Sequence, residues 1–112
     1  MNKTNQKAMK IRLKELVQAY QGITLVYDSV EKFSRKMELL KPYKEIKDIV
    51  STYEEVRNIA LMKDSREAAK ELSEELNKEL EITGMRFTIK EIENSKIPGS
   101  KLADITKFIE ED

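Results

Sequence analysis

A chain of 112 residues suffices for one domain with one hydrophobic core. With 38% charged residues, three Gly and two Pro, it favours helices with solvated outer faces over a turn-rich sandwich. With no Cys and no His, a disulfide framework, nearly every zinc site, the Ser–His–Asp triad and the Cys nucleophile are excluded; a net charge of zero lacks the cationic excess of a general nucleic-acid binder.

The first helix is expected over about Thr4 to Tyr20, because Met9, Leu13, Leu16, Val17 and Tyr20 recur at helical spacing, with Gly22 as its stop. Ile23 to Tyr27 is a β-branched and aromatic run that suits a short strand. In a wider window Val26, Val30, Phe33, Met37 and Leu40 repeat by fours and threes, so a second helix is expected from about Leu25 to Leu40. Pro42 then interrupts. The seam beyond it, Tyr43, Ile46, Val50 and Tyr53 flanked by Ile49 and Val56, is out of phase with the first, which predicts a turn or sharp kink at Pro42. A third helix should run to about Met62. Asp64 and Glu67 have the spacing of a capping box, and a fourth helix carries Ala69, Leu72, Leu76 and Leu80 until Gly84.

Thr88 and Glu91 make another capping box, with Phe87 and Ile92 at the two staple positions around it. Ile97-Pro98-Gly99 breaks the chain, and Ser100 is placed to cap a final helix with Leu102, Ile105, Phe108 and Ile109. The alternative for residues 80–89 is a small β-hairpin, Leu80/Ile82 and Phe87/Ile89 alternating around Thr83-Gly84. The expected fold is all-α: a small bundle of about four longer helices with a C-terminal short helix pair. It divides into a helical body, 1–83, and an appendage, 84–112, of the same single domain. Helix content should be roughly 65–80%, well above the usual third.

Little in the sequence carries chemistry. The scattered glycines make no phosphate-cradling loop. Glu71, Glu75 and Glu79 lie four apart, but a single row on one helix cannot wrap a cation. The pairs Glu54-Glu55 and Glu74-Glu75 point about 100° apart, so neither converges as acid and base. Tyr20, Tyr27, Tyr43 and Tyr53 fit core packing better than base stacking. Thr88 to Glu111 has a helix–turn–helix rhythm, but Ser100-Lys101-Leu102-Ala103-Asp104 is a poor start for a base-reading helix. No apolar leader core and no run near ~18 apolar residues is visible, which predicts a soluble, cytoplasmic protein without a membrane partner.

Two stretches resemble known families. Glu31 to Val56 resembles the helical N-terminal domain of bacterial peptide chain release factors, without any Gly-Gly-Gln motif, so peptide release is not implied. Ala68 to Ile105 resembles the helical N-terminal domain of transcription elongation factors, with Ile97-Pro98-Gly99 in place of that pattern's Ile-Gly. No residue role follows from either.

A complementary pair of charged stripes is more informative. Lys3, Lys7, Lys10 and Lys14 flank the apolar face of the expected first helix, and Glu71, Glu75 and Glu79 that of the fourth. Each row repels itself, so an opposite charge is expected beside it: the other row, a second subunit or another molecule. The broad third-helix face, including Tyr43, Ile46, Val50 and Tyr53, also suggests a dimer or a constitutive partner. The function expected is a non-catalytic helical protein–protein interaction, adaptor or regulatory module. It needs no cofactor, metal or small-molecule substrate. The alternative is a nucleic-acid-associated regulator that uses the basic N-terminal helix or the helix–turn–helix-like segment.

Overall fold

The computed structural model describes residues 8–110, and 74% of the structure is helical. The mostly helical class is as expected, but the elements are cut differently. Strand β1 (Ala8–Arg12) leads into α1 (Leu13–Ser29), α2 (Phe33–Lys63) and α3 (Arg66–Asn77). Strand β2 (Glu79–Thr83), α4 (Ile89–Ser95), α5 (Gly99–Asp104) and a 3-10 turn at Thr106–Phe108 follow.

The expected N-terminal helix is present from Leu13 onward, but Ala8–Arg12 is a strand instead, and the expected start at Thr4 lies outside the described residues. β1 and β2 pair antiparallel in the register Ala8↔Thr83, Met9↔Ile82, Lys10↔Glu81, Ile11↔Leu80 and Arg12↔Glu79. Both strands alternate. Met9, Ile11, Leu80 and Ile82 share the inner face, where Ile11 and Ile82 are buried. On the outer face Lys10 lies opposite Glu81 and Arg12 opposite Glu79, so opposite charges reinforce the register. Residues 79–83 are extended, as the hairpin alternative required, but their partner is β1. Phe87 instead bridges in parallel to Ile109, with its amide donating to the Phe108 carbonyl at 2.7 Å.

Gly22 does not end α1. The helix runs on to Ser29 and buries Leu16, Ala19, Ile23 and Val26, a repeat of threes and fours. A Cβ on Gly22 would stand 2.8 Å from Ile105 Cγ2 and 3.2 Å from the Lys101 carbonyl oxygen, so the glycine serves the close approach of α5. The stop comes at Val30. There Lys36 Nζ donates to the Tyr27 carbonyl at 2.8 Å and sits 4.4 Å from the Tyr27 ring centroid. A cation at a helix C-terminus satisfies carbonyls and meets the negative end of the dipole.

Pro42 does not break the chain either. It lies inside the 31-residue α2, with its ring buried. At 1.5 Å per residue this helix spans roughly 46 Å, close to the 48 Å longest dimension of the molecule. Its first half buries Leu39, Tyr43, Ile46 and Val50. Tyr43 stacks on Tyr27 at 4.1 Å, and its hydroxyl lies 3.0 Å from Thr24 Oγ1. Residues 51–63 have no fully buried side chain, so the second half of α2 runs past the core.

Asp64, at φ 46, is the left-handed residue that closes α2. The cap of α3 is one residue later than expected: Ser65 Oγ accepts from the Ala68 amide at 3.0 Å. α3 ends at Asn77, because Leu80 belongs to β2. The Thr88–Glu91 box forms as read, with the Glu91 amide donating to Thr88 Oγ1 at 3.1 Å and the Thr88 amide to Glu91 Oε1 at 2.9 Å. Phe87 and Ile92 both join the core. Ser100 caps nothing. α5 starts after Pro98 and stops at Asp104, and Ile105 and Phe108 reach the core from the turn that follows. Among the described residues no helix is long and apolar enough to cross a membrane.

Candidate docking groove

The second half of α2 presents Ile49, Tyr53, Val56, Ile59, Ala60 and Lys63 on one side, at the spacing of a single helix face. α3 folds back beside it through the Asp64-Ser65 turn and offers Ala68, Glu71, Leu72 and Glu75. The two helices do not close on each other. Ala68 is the one buried side chain of α3, whose leucines 72 and 76 are half-buried. Between the helices lies an open groove of about 760 Å³, with Leu13 and Leu80 lining it as well. Val56 is 44% and Ile59 56% exposed, so apolar surface in helical register faces solvent there. The charged groups of the lining are Asp48, Glu71, Glu74 and Glu75 against Lys63, an acidic surround. Glu75 binds Lys78 at 2.6 Å, a pair exposed on both sides and therefore weak.

A second apolar surface lies on the first half of α2. Phe33, Met37 and Leu40 are 78%, 55% and 38% exposed. Their spacing was read as the seam of a helix, and the side of α2 that meets the core carries Leu39, Tyr43 and Ile46 instead. Spacing shows that a stripe is apolar without showing what covers it.

The residues proposed from sequence scatter. Lys3 and Lys7 lie outside the described residues. Lys10 and Lys14 are exposed on β1 and α1, and neither pairs with Glu71, Glu75 or Glu79. Glu79 sits in β2 opposite Arg12, so the helical glutamate row ends at Glu75. Tyr43, Ile46 and Val50 are core residues and present no surface to a partner. Tyr53, Glu71 and Glu75 do meet at the groove. Ile59 and Leu72 complete it. The signal for Ile59 was the continuation of the third-helix seam past Val56, and that for Leu72 its place on the apolar face of the fourth expected helix.

Other polar clusters are occupied by internal bonds. A cleft of about 790 Å³ between the start of α2 and α4 contains Arg35 and Glu91. Arg35 Nε donates to Glu91 Oε2 at 2.6 Å, and Nη2 donates to Glu91 Oε1 at 3.1 Å and to the Arg86 carbonyl at 2.8 Å. Burial alone would raise the Glu91 carboxyl, but the Arg35 guanidinium and the Thr88 amide outweigh it and hold the group below its ordinary value. Burial pushes the Tyr43 hydroxyl up to about 12, so it stays protonated and works as a hydrogen-bonding core group. Among the described residues no group of three or more His, Cys, Asp or Glu side chains could hold a metal ion. Comparison with known protein families, with curated proteins and with solved structures finds no match for this chain.

Proposed function

We propose that the chain is a cytoplasmic protein–protein interaction module, adaptor or regulatory in use, whose α2–α3 groove receives the apolar face of a helix. The observation that carries this is the exposed lining of Val56 and Ile59, held in helical register on a part of α2 that adds nothing fully buried to the core, with the half-buried Leu72 of α3 facing them across the groove. A groove between two helices, apolar along its length and charged at its edges, suits the helix-in-groove mode, which reads anchors at i, i+3, i+4 and i+7. The acidic surround selects a helix with basic flanks and disfavours nucleic acid, whose phosphates it would repel.

The test uses a labelled helical peptide of about fourteen residues, with leucines on one face and lysines beside them. Fluorescence anisotropy should show binding that weakens at least tenfold, by ~1.4 kcal/mol, when Ile59→Asp and Leu72→Asp are combined. A peptide of the same composition with its leucines spread around the wheel should bind weakly. Binding that ignores both the groove substitutions and the peptide pattern would refute the reading.

A further inference from the structure

We infer that the occupant of the groove is a second copy of this chain, inserting its Phe33, Met37 and Leu40 stripe so that molecules join head to tail. The inference rests on the docking reading above and names its partner. The stripe has the i, i+4, i+7 spacing that a helix groove reads, and Phe33 is among the most exposed apolar side chains described, at 78%. From Phe33 to Leu40 it is about 10 Å long, while the α2 wall of the groove, Ile49 to Lys63, runs about 21 Å. The stripe therefore fits with about two turns to spare.

Charge decides the pairing. Lys44 continues the row of the stripe and Lys41 lies beside it, both exposed. The groove is lined by Asp48, Glu71, Glu74 and Glu75 against Lys63. A lysine-flanked stripe on an acidic groove is complementary. A symmetric groove-to-groove dimer would bring two acidic surrounds together, and like charges oppose that association. The stripe cannot serve its own groove, because one helix carries both. Met37 and Val56 are about 28 Å apart along α2 and turned about 100° around it. Each molecule then offers one knob and one socket, and such unlike contacts build rings or open filaments rather than closed pairs.

The experiment is sedimentation velocity on the whole chain across a wide concentration range, at low and high salt. Two variants are used: a stripe-disabled chain, Phe33→Asp with Met37→Asp, and a groove-disabled chain, Ile59→Asp with Leu72→Asp. None of the four positions is buried, and circular dichroism confirms that each variant folds; Phe33→Ser and Ile59→Ser replace any that does not. The wild type should grow past dimer as concentration rises and shrink as salt screens the lysine–glutamate contacts. Each variant alone should stay monomeric. Their equimolar mixture should give two-chain species and nothing larger, because one intact groove meets one intact stripe. A wild type that is monomeric throughout would overturn the inference, and so would a closed wild-type dimer whose two variants fail to pair in the mixture. If the helical peptide binds the groove while the chain stays monomeric, the choice of a second copy is wrong and the docking reading stands. If neither binding nor assembly occurs, both fall.

Discussion

Glu91 serves two structures at once. Its carboxylate closes the capping box at Thr88 and receives the Arg35 guanidinium from α2. With 15% and 17% of the two side chains exposed, the pair is screened far less than a surface bridge. Glu91→Gln keeps an N3 residue that can complete the box, so it isolates the ion pair. The expected loss is about 1–2 kcal/mol in urea denaturation at neutral pH. Because the folded carboxyl lies below its ordinary 4.5, the stabilisation is complete above that value and is lost as pH falls through the folded one. Wild type and Glu91→Gln should therefore converge in stability in acid, and a gap that persists there would mean the pair is not its source. Gly22→Ala sets two effects against each other. Alanine gains about 1 kcal/mol of helix propensity, while its Cβ would sit 2.8 Å from the branched Ile105 side chain and 3.2 Å from a backbone oxygen. Overpacking costs about 1–3 kcal/mol, so the variant should melt several degrees lower, measured by thermal denaturation. An unchanged or raised Tm would show that α5 can move away.

At the scale of elements, the sequence was most readable where two local signals agreed. The Thr88–Glu91 box and the Phe87/Ile92 staple lie within six residues, and they form as read. The β ribbon was not readable. β1 offers two inward apolar positions, Met9 and Ile11, and Met9 also continues the helical repeat of Leu13 and Leu16. What makes residues 8–12 a strand is β2, about seventy positions away in the register. Gly22 and Pro42 misled for a related reason. Each weakens a helix in isolation, but tertiary contacts on the two faces outweigh a local cost of about 1–3 kcal/mol. The groove was half legible. Tyr53, Glu71 and Glu75 were named, while Tyr43, Ile46 and Val50 share their spacing and face the core instead. The ribbon also supplies a test of its register. Lys10→Glu puts a second carboxylate opposite Glu81 and should cost about 0.5 kcal/mol. Adding Glu81→Lys should recover most of it. Absence of recovery in the double-mutant cycle would mean that the two side chains do not interact across the strands.

The whole molecule is organised along α2. One half of this helix belongs to the core, and the other extends past it and holds α3 at arm's length by a two-residue turn. Apolar surface is exposed on both halves, facing different directions. That arrangement stabilises the monomer poorly, since leaving a Phe or Ile in water forgoes about 1.5–3 kcal/mol per side chain. A partner that covers the groove should therefore raise stability in proportion to its saturation. Docking in the groove is read most directly by amide chemical-shift mapping on the labelled, stripe-disabled chain, Phe33→Asp with Met37→Asp, titrated with the lysine-flanked helical peptide. Saturable shifts should concentrate at residues 49–63 and 68–75, with the ribbon and the Arg35–Glu91 cleft still. Shifts centred on Lys10 and Lys14 or on the Arg35–Glu91 cleft, or spread evenly over the surface, would contradict groove docking.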